Sequence, residues 1–251
     1  LFVIKPTLFT GKCFIELPQI DSTNVYAVNL LKHTNIAEGT VVSTLNQTKG
    51  KGNANNRWLS KPGKNLSFSI IYQPTFLLAR QQFYLNMAIC LGIVDALPTK
   101  AGFSIKWPND IYYKNYKVGG LLFENIILGK KIKHSIIGIG INVNQVNFSN
   151  RLPNPTSLTK IFKKKFDLYE LMTDILLHIE KRYLQLKAME FIALKKAYLN
   201  HLYLYEQAAI FKVNVKQVFG TIKGINENGQ LLIKIGDELR EFGFKEVEFI
   251  V

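Results

Sequence analysis

Hydrophobic positions along the chain follow a period of 2 in some stretches and 3.6 in others, and one long stretch follows neither. Two β-branched runs, TVVSTL (40–45) and LSFSII (66–71), read as strands. RQQFYLNMAICLGIVDAL (80–97) is apolar nearly all round, which predicts a central helix buried on most faces. FSIKWP, IYYKNYKVGGLLFENIIL and KHSIIGIGINVN then follow as strands joined by short turns, Gly129-Lys130 being one of them. Such a succession predicts an α+β fold, a mixed but mainly antiparallel sheet with helices packed on one face. From Leu168 the period changes to i+3 and i+4 through Leu171, Met172, Ile175, Ile179, Tyr183 and Leu186. This is an amphipathic core helix, and a second follows to about Leu202. Short strands return at the end, from AIFKVNV to VEFIV, with Asn228-Gly229 and Gly236-Asp237 as turns. They predict a small β-barrel or sandwich too small to hold a large pocket. The expected division is residues 1–205 and 206–251.

Near the start, DSTN (21–24) precedes VYAVNLLK. All four residues are good N-caps, so a helix is predicted there, buried through Val25, Val28, Leu30 and Leu31. The stretch without a period is QTKGKGNANNRWLSKPGKN, Gln47 to Asn65, between the two β-branched strands. A patternless loop of that length is disordered or functional.

Composition narrows the class. Apolar residues make up 47% of 251, with 17 Phe and 11 Tyr, enough for a real core. No apolar run approaches the roughly 20 residues of a membrane span. The start, LFVIKPTLFTGKCFIEL, is broken by Lys5, Pro6 and Lys12 and does not resemble a signal peptide. Cys13 and Cys90 have no CxxC or Cys/His companion, which argues against zinc or a disulfide framework and fits a reducing cytoplasm. The net charge of +14 admits nucleic acid, an acidic partner or a phosphate-bearing substrate. The lysines are scattered, however, apart from KIFKKKF (160–166), which reads as a solvated connector.

Three segments could carry chemistry. KGKGN (49–53) is neither a Walker A nor a dinucleotide-binding fingerprint. Gly50 and Gly52 nonetheless let backbone N–H groups converge, and Lys49 and Lys51 add positive charge. In KWPNDIYYKNYKVGG (106–120), Trp107-Pro108 is extended and Pro108-Asn109-Asp110 reads as a turn. Lys117 precedes Gly119-Gly120 on the returning strand, where paired glycines suggest close approach to a ligand or another strand, or an ordinary bulge. A lysine there could pair with a carboxylate or a phosphate. In GIGINVN (138–144), Gly138 and Gly140 share one face, and Asn142 and Asn144 follow on it, where amides could read a base or ribose.

In this order, DSTN, QTKGKGN…W, KWPND…KVGG and GIGINVN resemble the biotin protein ligases, with NPTSL (154–158) similar to a later family segment. The likeness covers residues 20–160 closely, and the tail is similar to the family's small SH3-like β-domain. The resemblance implies a biotin–[acetyl-CoA-carboxylase] ligase acting in the cytoplasm. With DSTN beginning at residue 21, it implies a monofunctional one without an N-terminal DNA-binding domain. The implied reaction uses ATP to make biotinyl-5′-AMP and then modifies a lysine of a biotin carboxyl carrier domain. No DNA or membrane enters, and a homodimer is left open. Carried over residue by residue, Ser22, Thr23, Asn24 and Gln47 would bind biotin. Gly50, Gly52 and Lys51 would hold the carboxylate and α-phosphate, and Lys117 would be the principal electrostatic catalyst, with Lys51 assisting. Gly119 and Gly120 would contact biotin, while Asn53, Trp58, Asn109, Asp110 and Asn142 would contact ATP or the adenylate. Mg²⁺ would accompany the ATP phosphates with no assigned side-chain ligand. The chain departs from the family at its loop: GKGNAN (50–55) stands where GRGRRG is common, so Lys51 and Asn53 replace arginines and Asn55 replaces a glycine. Lysine keeps the charge but lacks the bidentate fork, which implies weaker retention of the adenylate. Competing readings are a lipoate or octanoate ligase of the same fold, a basic nucleic-acid-binding protein, and a pseudo-enzyme that binds biotin without releasing pyrophosphate.

Overall fold

The computed structural model describes residues 7–53 and 56–250. Seven strands, β1 Phe14–Leu17, β2 Thr40–Thr44, β3 Leu66–Tyr72, β4 Phe103–Lys106, β5 Asp110–Tyr113, β6 Tyr116–Leu128 and β7 Lys131–Ile141, form one sheet. Its order is β1-β2-β3-β7-β6-β5-β4. All neighbours are antiparallel except β1 and β2, which are parallel and joined through helix α1, Thr23–His33. Helices α2 Gln82–Ala96, α3 Leu158–Phe162, α4 Leu168–Lys187 and α5 Phe191–His201 complete this part of the chain.

Every residue of β2 and β3 is buried, the signature of strands covered on both faces. On one face Val41, Phe68, Ile70 and Ile137 join α2 and α4 in the main core. On the other, Val42, Ile71 and Ile136 pack against Ala27 of α1. The expectation of helices on one face therefore fails at α1, because strand alternation gives both faces apolar residues to cover. The predicted stripe of α1 also differs. Its buried residues are Thr23, Asn24 and Ala27, since its first turn lies over small, polar sheet positions. Helix α2 is buried continuously from Leu85 to Val94, as its all-round apolar pattern requires. The connector after α3 begins with Lys163 in the left-handed region, and Lys163, Lys164 and Lys165 are exposed.

The remaining strands, β8 Ala208–Val213, β9 Lys216–Ile225, β10 Leu231–Ile235, β11 Glu238–Phe242 and β12 Val247–Phe249, form an antiparallel sheet in the order β11-β10-β9-β8-β12. This is in keeping with an SH3-like unit, although β11 and β12 do not pair with each other among the described residues. The sheet is fastened to the first through Trp107, whose indole N–H donates to the Gly229 carbonyl at 2.9 Å. Both cysteines are free thiols. Among the described residues no helix is long and apolar enough to cross a membrane.

Candidate active site

Small residues make the floor of the site. Across β3 and β7, Ser67 faces Gly140 and Ser69 faces Gly138. With so little side chain there, a cleft of about 790 Å³ opens above the sheet. A Cβ on Gly138 would come within 2.3 Å of Asn24 Oδ1, and one on Gly140 within 2.4 Å of the Trp58 indole. Each glycine therefore seats a specific side chain of the site. Above this floor Ser22, Thr23, Asn24 and Gln47 line the cleft. Ser22 is the N-cap of α1, but its side chain makes no capping hydrogen bond. The Thr23 backbone N–H donates to Gln47 Oε1 at 2.9 Å, which fixes the amide with its Nε2 as the free donor.

Lys117 arrives through an irregularity in the sheet. Ile111 pairs with Gly119 and Tyr112 with Lys117, so Val118 is an extra residue on β6. An extra residue reverses the alternation of faces. Lys117 and Gly120, three positions apart, consequently line the same cleft. Gly119 points the other way, where a Cβ would meet Ile141 Cδ1 at 2.6 Å. Lys117 Nζ donates to Asp110 Oδ2 at 2.7 Å, and Gly120 lies directly beneath the pair, since a Cβ there would be 2.9 Å from Asp110 Oδ1. The paired glycines thus have different causes: Gly119 is needed by the core and Gly120 by the ion pair.

The loop without a period is a small hairpin in its described part. Trp58 N–H donates to the Gly50 carbonyl at 2.9 Å, Gly52 N–H to the Asn56 carbonyl at 2.8 Å, and Lys51 bridges Arg57. Asn53 Nδ2 donates to Asn109 Oδ1 at 3.1 Å, so the hairpin reaches the KWPND turn. Lys51, Gly52, Asn53 and Trp58 line the cleft. Asn55 lies outside the described residues. Among the described residues the buried Trp58 indole N–H has no acceptor, an arrangement that costs free energy until an acceptor is supplied. Lys49 turns away to Asp21, with Nζ 2.9 Å from Oδ2.

Several predicted residues do not reach the cleft surface. Gly50 is packed inside the hairpin, where a Cβ would lie 2.5 Å from Gln47 Nε2. Asn142 follows the end of β7; its N–H donates to the Val118 carbonyl and its carbonyl accepts from Leu158. It therefore ties the β6 bulge to α3, and its side chain is not among those that line the cleft. Asn144 is committed elsewhere too, its Oδ1 accepting from Thr159 and Phe166 and its Nδ2 donating to the Phe166 carbonyl.

Other lining residues were missed from the sequence. Phe244, Lys245, Val247, Glu248 and Phe249 give the C-terminal sheet a wall of the cleft, so that sheet contributes to a large pocket without holding one. Lys106, the first letter of KWPND, has Nζ 4.9 Å from the Tyr112 ring centroid and 5.0 Å from that of Phe249. Burial lowers its pKa below the usual lysine range; Asp110 opposes this and the Lys117 charge adds to it. Its place beside Trp107 in the motif was the available signal. Burial and the Asp110 charge also push the Tyr112 phenol upward, keeping it protonated. Five cationic side chains (Lys51, Arg57, Lys106, Lys117, Lys245) and two carboxylates (Asp110, Glu248) line the cleft, a balance suited to an anionic substrate.

Comparison with known proteins points the same way. Residues 16–142 match the model of the biotin/lipoate A/B protein ligase family. The chain is 30% identical to the bifunctional ligase/repressor BirA of Bacillus spizizenii, over 95% of this chain and 74% of that protein. It is 24% identical to the biotin–[acetyl-CoA-carboxylase] ligase of Paracoccus denitrificans, over 87% of this chain and 92% of that one. Among solved structures, the biotin protein ligase of Aquifex aeolicus in complex with biotin and ATP superposes with a TM-score of 0.78 at 30% identity, over 94% and 98% of the two chains. The floor of small residues, the bulge that presents Lys117 and the hairpin over the cleft stand within the matched span, and the chain belongs to the biotin/lipoate A/B protein ligase family.

Proposed function

We propose that this chain is an ATP-dependent biotin–protein ligase. In its first step the biotin carboxylate attacks the α-phosphate of ATP, forming biotinyl-5′-AMP and releasing pyrophosphate. In its second the ε-amine of a carrier lysine attacks the mixed anhydride, forming the amide and releasing AMP. The observation that carries this reading is the meeting of two unlike sets of groups in one cleft. Thr23 and Gln47 offer neutral hydrogen bonds, and Lys117, Lys106 and Lys51 offer positive charge. A substrate that fits has an uncharged polar head and an anionic reacting end. Neither step needs a nucleophilic side chain; both need positioning and neutralisation of phosphate charge. Lys117 would move from Asp110 to the carboxyl and α-phosphate oxygens, with Lys51 and Asn53 above them. Gly50, Gly119 and Asn142 would act through backbone or packing.

Among the described residues no group of three or more His, Cys, Asp or Glu side chains could hold a metal. Mg²⁺ would thus enter on the phosphates, as it commonly does with one or two carboxylates nearby; Asp110 and Glu248 are those in reach of the cleft. When bound it would neutralise phosphate charge. Residues 206–251 are read as a domain whose β12 edge closes the cleft. The partner is read as a biotin carboxyl carrier domain of a carboxylase, in the cytoplasm, with no DNA contact required.

Biotin-dependent exchange of pyrophosphate into ATP tests the reading, with lipoate as the competitor. Exchange driven by lipoate or octanoate, and not by biotin, would replace it with the related ligase; binding of biotin without exchange would make the chain a pseudo-enzyme. The hairpin supplies a further expectation. Lys51→Arg with Asn53→Arg introduces bidentate phosphate donors worth about 1 kcal/mol, or roughly fivefold in adenylate retention. Labelling of a bystander protein should fall by about that factor. Equal labelling by the two proteins would exclude the hairpin side chains as the cause.

A further inference from the structure

The register of the large sheet sets the groups of the cleft in an order. Ser67, Gly140, Gly120, Asp110 and Lys106 are successive cross-strand partners from β3 through β7, β6 and β5 to β4. Cross-strand partners share a face, so these residues form one row. Neighbouring strands are about 4.8 Å apart, which starts Lys106 roughly 10 Å beyond Gly120 and farther still from β3. The Thr23 hydroxyl is tied to β3, 2.8 Å from Ser69 Oγ. Lys117 Nζ stands over Gly120, where a Cβ would be 3.2 Å from it. Lys106 comes last, beyond Asp110 on the edge strand.

Lys106 also differs from Lys117 in what surrounds it. Lys117 already holds Asp110 at 2.7 Å, whereas Lys106 forms no ion pair among the described residues. Its Nζ donates to the Tyr112 hydroxyl at 3.3 Å and faces the rings of Tyr112 and Phe249. Tyr112 is on β5 and Phe249 on β12, so the ammonium is held between the two sheets. Aromatic faces attract a cation without neutralising it. Burial disfavours its charge, and Asp110 offsets that only in part. A polyphosphate entering the cleft would supply the missing counter-charge.

We propose that Lys106 is a further catalytic residue, the cation that holds the pyrophosphate leaving in the first step; this rests on the reading of biotin and ATP as substrates. Attacking and leaving oxygens stand roughly in line across the phosphorus in such a transfer. The carboxylate comes from the side of Thr23 and β3 and meets the α-phosphate at Lys117, above β6. The leaving oxygen then points onward to β5 and β4, where Lys106 stands beside Phe249. The bond that forms joins a carboxylate oxygen to the α-phosphorus. The bond that breaks gives the α–β bridging oxygen, with its electron pair, to pyrophosphate, and Lys106 neutralises the added charge. No proton has to move. In the second step pyrophosphate has gone and the adenylate phosphate remains at Lys117, so Lys106 has no part in it.

Lys106→Met tests this, because it keeps an unbranched stem between the rings and removes the charge. Biotin-dependent ATP–pyrophosphate exchange should fall about 10²-fold. KM for pyrophosphate should rise about tenfold, the scale of one lost charged hydrogen bond. Calorimetric Kd for biotin and the melting temperature should stay at their wild-type values, since the lost charge has no ion-pair partner. The separating measurement supplies biotinyl-5′-AMP directly, with hydroxylamine as the attacking amine. Lys106→Met should then match the wild-type rate of single-turnover transfer, whereas Lys117→Ala should be slow in both steps. Lys106→Gln should behave in the same way and serves if the methionine variant folds poorly. Equal losses in exchange and in transfer, or unchanged exchange, would overturn the proposal. Absence of biotin-dependent exchange in the wild-type protein would instead remove the biotin reading beneath it.

Discussion

Lys117→Ala should lower biotin-dependent ATP–pyrophosphate exchange by about 10² to 10³-fold, the usual cost of removing one preorganised charge or donor from a developing oxyanion. Two consequences separate this loss from unfolding. The neutral groups of the cleft, Thr23 and Gln47, are on other elements, so calorimetric binding of biotin should persist. Asp110 loses its 2.7 Å partner but sits at the cleft surface, where water can solvate it. The melting temperature should therefore shift little, since partly exposed pairs contribute little to stability. Lys117→Arg keeps the charge but not the compact ammonium, and a planar fork over Gly120 has less room, because that glycine's Cβ direction already meets the lysine Nζ at 3.2 Å. It should recover only part of the exchange. Full exchange in Lys117→Ala would remove this residue from the first step.

Glu180→Ala should be the largest stability change away from the cleft. Glu180 sits on α4 and is 3% exposed. Its carboxylate accepts the backbone N–H groups of Leu8, Phe9 and Thr10 at 2.5, 2.9 and 2.7 Å. Alanine leaves three donors without this acceptor, one of them on the fully buried Thr10 and two on the more exposed Leu8 and Phe9. Allowing for partial rehydration, the expected loss is about 3 kcal/mol. For a chain of this size that is a fall of roughly 6–12 °C in melting temperature. Exchange activity measured well below the transition should remain near wild type, because no lining residue of the cleft touches this carboxylate. Glu180→Gln keeps one acceptor and should lose less. A fall of under about 2 °C in Glu180→Ala would show that the segment before β1 does not depend on this acceptor.

These two residues show how unevenly the sequence discloses the molecule. Lys117 was legible because its surroundings are local: KWPND, a turn and KVGG lie within fifteen residues. The amphipathic α4 was legible from its period, and so was Glu180's place on it. What Glu180 does was not, since its partners are 170 to 172 residues away. The one-face arrangement of helices failed for a related reason. LSFSII is compatible with both alternation and full burial, and only the packing of α1 against Ile71 and Val42 decides between them. Asn142 looked like a ligand because GIGIN alternates, but β7 ends at Ile141 and Asn142 is not among the residues that line the cleft.

Most strands and helices, the order of the motifs, the family and the place of Lys117 between KWPND and the paired glycines are readable along the chain. All of these depend on patterns of a few residues or on their order along the chain. Which face each residue uses depends instead on how the strands pair and pack. The extra residue at Val118 turns Lys117 and Gly120 to one side. Cross-strand register sets Ser67 and Ser69 opposite Gly140 and Gly138. The C-terminal sheet supplies a wall with Phe249, and Asn24 of α1 donates to Glu124, one hundred residues away in the chain, while accepting from Ser69. Register and long-range hydrogen bonds follow from how distant segments pack together, and a one-residue shift in pairing exchanges the two faces. No local pattern in the chain encodes that choice.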